Sequence, residues 1–258
     1  MREFRKAIVR PPSTYYISAI STHPNKNTIK LDKALQQHFN FINILKNCGL
    51  DVIKLTRDAN PDSCFVEDPL VVINDIAIIC RPEPLSRLGE VTQIEKELST
   101  CLKQYFSEVH RVEPPGVIEG GNIIVTEDEM FIGRGKRTNQ EGINQFKRYI
   151  KNYKILVVDV AEDKIHLKSY CTYIGNKTFV LDPKKIDKNL FSNYRIIEVN
   201  ENEKHCANCL GFNENVIISD GCPITFQKIQ KYGFKAHSVN IDEFRKKDGS
   251  MTCLAVLI

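Results

Sequence analysis

This sequence predicts an α/β protein made of five copies of one unit that close into a ring. Three observations support that reading. Strand-pair signals alternate with amphipathic helical stretches at a period of about 40–55 residues, a spacing of solenoids, propellers and arrays. The mixture of helices and strands argues against an all-β propeller. Polar residues able to do chemistry also stand at the mouth of each strand pair: Asp62, Glu67 and Asp68; Glu119, Gly120 and Gly121; His166; Asn208; Asp248 and Cys253. Equivalent positions in a closed ring face a common axis, so these distant residues are expected to meet there.

The elements follow in order. Residues 4–9 are a short apolar strand. Residues 31–47 are helical and stop at Gly49, and 50–55 is a strand. The β-rich runs 66–72 and 76–80 flank Asn74-Asp75, a hairpin signal. Residues 86–106 carry Val91, Ile94, Leu98 and Leu102 at helical spacing. Strands 122–125 and 130–133 flank an acidic turn and lead to helix 139–150 and strand 155–160. Strands 166–174 and 178–181 pair across Gly175-Asn176, followed by a short helix at 183–190 and strand 195–199. Strands 208–212 and 216–219 form the fourth pair, before helix 223–232 and strand 236–239. The apolar run 251–258 pairs with 4–9 and closes the ring.

Composition narrows the function. The 42% hydrophobic and 26% charged fractions fit one soluble domain over 1–258, and no Ser/Gly/Pro-rich linker divides it. With a net charge of +4, pairs such as Lys184-Lys185 and Lys246-Lys247 read as solvated faces rather than nucleic-acid contacts. No apolar run approaches the ~20 residues that span a bilayer. Residues 1–20 lack a signal-peptide core, being broken by Arg5, Lys6, Arg10, Pro11 and Pro12, so a cytoplasmic protein is expected.

Nine cysteines, an odd number, make no compact disulfide framework at these spacings. Cys48, Cys80, Cys101 and Cys171 fall inside expected helices or strands and read as small core hydrophobes. His205, Cys206 and Cys209, with Cys222 and His237 further on, could hold zinc. The usual second closely spaced ligand pair is missing, so buried thiols are expected and no metal is assigned. Cys253 differs because it shares a topological position with His166: a thiolate near an imidazole is the basic nucleophile–base arrangement. Adjacent Glu67-Asp68 inside an apolar stretch argues against mere solvation, because unpaired buried charge is costly. Thr138-Asn139-Gln140-Glu141 fits a capping box, which sets Arg137 just before a helix N-terminus. A cation at that positive pole makes sense if an anion binds there.

Read together, Asp62-Ser63-Cys64-Phe65-Val66-Glu67-Asp68, Glu119-Gly120-Gly121-Asn122, Lys136-Arg137-Thr138-Asn139-Gln140, His166-Leu167-Lys168-Ser169 and Asp248-Gly249-Ser250-Met251-Thr252-Cys253 occur in this order. The set resembles the dimethylarginine dimethylaminohydrolase family, within the arginine deiminase and amidinotransferase superfamily, over nearly the whole chain from about residue 7 to 258. The resemblance implies a five-bladed pseudo-symmetric α/β propeller of ββαβ modules, in agreement with the repeat count.

A guanidinium carbon is a poor electrophile, so carboxylates must fix its N–H groups. By the resemblance, Glu119 and Asp248 hold that cation, with Glu67 and Asp68 nearby. Cys253 attacks as thiolate, and His166, oriented by Glu119, serves as acid and then base. Arg137 and Arg87 take the substrate carboxylate and Asp62 the amino group. A mobile loop covers the site in this family, and the corresponding stretch here is 13–27, with Ile20 a candidate contact. Lys247 stands where an apolar residue is common in the family. The chemistry needs no cofactor or metal. The partner is a small guanidine substrate, with no nucleic acid or membrane, and a homodimer stays open. The alternatives are an arginine deiminase or another guanidine-modifying enzyme, an amidinotransferase, a silent arginine binder, and a zinc-binding module built on Cys206 and Cys209.

Overall fold

The computed structural model describes residues 3–161 and 165–258. Strand β1 (Lys6–Val9) is followed by helix α1 (Leu31–Asn47) and by β2 (Asp51–Lys54), which runs parallel to β1. Helix α1 turns Phe41, Ile42 and Leu45 inward at helical spacing. It stops where Gly49 adopts φ +90°, a left-handed conformation that suits a residue without Cβ.

The second unit is the hairpin β3 (Leu70–Ile73) and β4 (Ile76–Ile79), helix α2 (Leu88–Leu98) and β5 (Glu108–Arg111). The third is β6 (Ile123–Val125), β7 (Glu129–Arg134), α3 (Gln140–Tyr149) and β8 (Lys154–Asp159). The fourth, β9 (Cys171–Tyr173), β10 (Thr178–Leu181) and β11 (Arg195–Glu198), crosses over through a single 3-10 turn, Lys188–Phe191. The fifth is β12 (Leu210–Phe212), β13 (Asn215–Ser219), α4 (Pro223–Lys231) and β14 (Lys235–Val239). After a one-turn helix α5 (Asp242–Arg245), β15 (Val256–Leu257) pairs antiparallel with β1, setting Ala7 opposite Leu257 and Ile8 opposite Val256. Each of the five sheets has three strands, its middle strand antiparallel to one neighbour and parallel to the other.

Side-chain packing joins the sheets. The middle strand of each sheet sends alternate residues to opposite faces, and both faces are buried. In β1, Ala7 and Val9 face one core while Ile8 faces the next; in β7, Phe131 faces one core while Met130 and Ile132 face the other. Every core is shared by two consecutive units, and the last joins Phe212 and Ile217 of the fifth unit to Phe41 and Leu45 of the first. The ring is therefore closed: a five-bladed pseudo-symmetric α/β propeller. No described helix is long and apolar enough to cross a membrane.

Several elements are shorter than the sequence predicts. The run 66–72 becomes strand only at Leu70, because 66–69 is a turn in which the Asp68 N–H donates to the Phe65 carbonyl. Helix 86–106 stops at Leu98, where the Ser99 and Thr100 hydroxyls return to the Lys96 carbonyl and compete with the ladder. Cys101 is consequently exposed rather than a core residue, and Cys48 only half-buried. The helix expected at 183–190 is the 3-10 turn noted above. The closing run 251–258 is strand only at β15, preceded by the 3-10 turn Thr252–Leu254. Strand β5 and helix α5 have no counterpart in the sequence reading.

Candidate active site

The segments that lead into the blades converge on one end of the ring axis, where they line a pocket of about 400 Å³, open mouth included. Asp62 and Asp68 approach from the turn before β3, and His166 from just before β9. Asp248 and Cys253 arrive on the segment that ends in β15, and Ile20 reaches in from the 13–27 stretch. Arg87 and Arg137 complete the polar wall.

His166 is held from three sides. Its Nε2 lies 2.6 Å from Glu119 Oε2 and 3.8 Å from Asp68 Oδ1. Its ring packs flat on Gly121: a Cβ there would come within 2.5 Å of Nδ1, so only glycine fits. The following residue is pinned by Asn122, whose Oδ1 accepts the Leu167 N–H at 2.8 Å while its Nδ2 donates to Thr138 Oγ1. Burial alone would lower the pKa of His166, but Asp68 and Glu119 outweigh it and raise it above the ordinary value. Glu119 is fully buried, which would raise its own pKa; His166, Arg87 and Arg137 instead bring it down to about 2. The pair therefore favours the ionised form, imidazolium beside carboxylate, more than either group would alone.

Two arginines frame this pair. Arg137 Nη1 donates to Glu119 Oε1 at 3.1 Å. Arg87 is buried and forks onto Glu90 through Nε and Nη2, at 2.9 and 2.7 Å, while Nη1 donates to Asp68 Oδ2 at 2.9 Å. Glu90 was not singled out from the sequence, although its spacing of three from Arg87 on a helix was a readable signal. The helix cap also differs from expectation. Asn139, not Thr138, caps α3, accepting the Gly142 N–H at 2.8 Å.

The sulfur of Cys253 lies in the 3-10 turn before β15, 7% exposed at the residue level. Burial, then the charges of Asp68 and Glu67, push its pKa well up, so the resting side chain is a neutral thiol. Asn208 fixes this turn: its Oδ1 accepts the Thr252 N–H at 2.9 Å and its Nδ2 donates to Thr252 Oγ1 and the Lys168 carbonyl. Asn122 and Asn208 thus do equivalent work at the entrances to the third and fifth blades, a role their sequence context did not reveal.

Two expected site residues do not line this pocket: Glu119, fully buried, meets it through His166 and Arg137, whereas Glu67 faces elsewhere. Its carboxylate bonds Lys168 and accepts from Thr252 Oγ1 at 2.7 Å, and it lines a separate cavity with Leu70, Val72 and Ala255. Asp62 and Asp248 face the pocket, each already accepting from the 13–27 stretch. Both Asp62 oxygens lie 3.2 Å from Ile20 N, and Asp248 Oδ2 accepts from Thr22 N at 2.6 Å and from its hydroxyl at 3.1 Å. Asp68 Oδ1, by contrast, is buried without a hydrogen bond among the described residues, 3.8 Å from His166 Nε2, and so keeps acceptor capacity for a ligand.

Of the suggested zinc set, His205, Cys206 and Cys222 lie together, with Cys222 Sγ 3.3 Å from His205 Nε2, but the remaining donors are engaged elsewhere and the two paired thiols are oxidised. Cys206 and Cys222 are joined in a disulfide, Cys209 Sγ contacts Thr172 Oγ1 at 3.3 Å, and His237 pairs with Asn215. Cysteine spacing carries no sign of this disulfide, because its two halves come from a 3-10 segment and the start of α4.

Known proteins resemble the chain over nearly its whole length. A family model described as N,N dimethylarginine dimethylhydrolase, eukaryotic, matches residues 9–257. An N(G),N(G)-dimethylarginine dimethylaminohydrolase of Pseudomonas aeruginosa is 35% identical over 256 residues, 98% of this chain and 99% of that protein. One from Streptomyces coelicolor is 30% identical over 255 residues, 98% and 96% of the two chains. Among solved structures, a mutant of the Pseudomonas aeruginosa protein complexed with citrulline matches with a TM-score of 0.92 at 33% identity, covering 100% of both chains.

Proposed function

Since the chain belongs to the dimethylarginine dimethylaminohydrolase family, we propose that it hydrolyses N-methylated arginine, in the asymmetric dimethyl or monomethyl form, to citrulline and a methylamine. One observation carries this reading onto the chain's own residues: a buried thiol and an imidazole whose proton is favoured by Asp68 and Glu119 share a pocket walled by carboxylates. A planar cation is what such a pocket suits.

Asp68 and Asp248 orient the guanidinium, and the positive charge it brings offsets the carboxylates that keep Cys253 protonated. The thiol then gives its proton to water, and the thiolate attacks the central carbon. His166, held as imidazolium by Asp68 and Glu119, gives its proton to the departing nitrogen. The C–N bond breaks, the methylamine leaves, and an S-linked thiouronium cation remains on Cys253. Neutral His166 next takes a proton from water as the oxygen adds to the same carbon. Collapse breaks the C–S bond, releases the ureido product and returns the sulfur as thiol. Arg137 binds the substrate carboxylate and Asp62 its amino group. Arg87, forked onto Glu90 and Asp68, also lines the pocket, where it supports Asp68 and joins Arg137 at the substrate carboxylate. Glu67 acts through Thr252 on the Cys253 turn.

A citrulline assay across asymmetric dimethylarginine, monomethylarginine, arginine and agmatine tests the reading. Methylarginines should be turned over fastest. Cys253→Ser should abolish turnover, and His166→Ala should lower it by at least about a hundredfold. Wild-type rates in Cys253→Ser would remove the nucleophile, and agmatine outrunning every amino acid would remove the roles of Arg137 and Asp62.

A further inference from the structure

Lys247 is 5% exposed and lines the same pocket, a costly place for an ammonium in a site suited to a cation. Its hydrogen bonds go to main chain: Nζ donates to the Ile17 carbonyl at 2.7 Å and to the Ala19 carbonyl at 2.8 Å. Both carbonyls belong to the 13–27 stretch, at and just beyond the 3-10 turn Tyr16–Ser18. Around this point the same stretch is tied down by Ser21 Oγ on the Lys246 carbonyl, by Ile20 N on Asp62 and by Thr22 N on Asp248. The segment from Ile17 to Thr22 is thereby drawn onto the pocket, with Ile20 in its wall. An apolar side chain could fill the space at 247 but could not bond two carbonyls. A charged donor gives each of these bonds more strength than a neutral one would have.

We propose that Lys247 is a positioning residue that latches residues 17–22 over the pocket, keeping the site preassembled before substrate arrives and so setting substrate affinity. The latch acts on population rather than chemistry. Substrate contacts that need the closed segment are available only in the closed fraction, and apparent affinity falls in proportion as that fraction falls. Lys247→Met should lose both carbonyl bonds while leaving Cys253, His166 and Asp248 in their turns.

The inference rests on the hydrolase reading, so its test has one arm without turnover. In the ligand-free wild type, amide hydrogen exchange should find Ile20 and Thr22 protected; exchange there at the rate of unstructured chain overturns the latch, whether or not any variant folds. In Lys247→Met those amides should exchange at least about tenfold faster, and KM for asymmetric dimethylarginine should rise on the order of tenfold with kcat within about twofold. Unchanged protection and KM would overturn the proposal, as would a fall in kcat with KM unmoved, which would assign Lys247 to the chemistry or to general stability. Should the wild type process no guanidine at all, the hydrolase reading falls, and the exchange measurements alone decide for or against the latch.

Discussion

At the scale of single residues, the Glu119–His166 pair governs how the site responds to pH. Folding lowers the pKa of Glu119 from 4.5 to about 2, so the stability it contributes is complete above pH 4.5 and is lost as pH falls toward 2. For His166 the sign is opposite. Its folded pKa is raised above 6.5, so its contribution is complete below 6.5 and is lost as pH climbs through the raised value. The proton that His166 gives to the leaving amine disappears over the same alkaline range. Glu119→Gln removes one of the two charges that raise the imidazole, so the alkaline limb of the kcat profile should move down by about one pH unit or more. An unmoved limb would mean that Asp68 alone sets the imidazole. Cys253, Asp62, Asp248 and Arg137 were legible from motif order alone. The direction in which Glu67 faces was not, because a pair of adjacent acids in a turn does not reveal which one points to the axis.

Among the elements, legibility tracked how a segment is buried. The middle strands β4, β7, β10 and β13 are buried on both faces and read as continuous apolar runs. Helix α1 was found to the residue because its apolar stripe and Gly49 agree. Strand β5 was missed because its residues are largely exposed and it carries Glu108, His110 and Arg111, with no alternation to read. The short turns at Gly120–Asn122 and Leu167–Ser169 begin just after Glu119 and His166, and Thr252–Leu254 contains Cys253, yet three residues cannot display a period. Helix α1 also carries a liability. His38 is buried against Phe244, and burial, with Lys54 nearby, lowers its pKa from 6.5 to about 4. Between those values the unfolded chain binds a proton that the folded chain refuses, so stability should drop as pH falls from 6.5 to 4, by on the order of 3 kcal/mol. Urea unfolding at pH 7 and pH 4.5 checks this: His38→Leu should lose distinctly less stability between the two than the wild type. Equal losses would clear His38 of the effect.

For the molecule as a whole, the arrangement of cores matters more than any single sheet. Five cores each join two neighbouring units, and the one between the fifth and the first includes Ala7, Val9, Ile217, Leu254 and Ala255. Cys253 belongs to that same core, one residue before Leu254. Repeat counting made the ring visible in the sequence; it could not reveal that the closing seam and the reactive sulfur are one locality. The last strand, β15, hydrogen-bonds to the first, and Ile258 exchanges main-chain bonds with Lys6. During refolding from urea, far-UV circular dichroism should therefore recover before citrulline-forming activity, and a superposition of the two time courses would contradict this order. On the ribosome the same connection acts as a built-in delay. The nucleophile emerges long after Asp62, Asp68, Glu119 and His166, and its turn is set only when β15 docks beside β1, so a polypeptide that has just passed His166 carries these acids and its imidazole without a working sulfur.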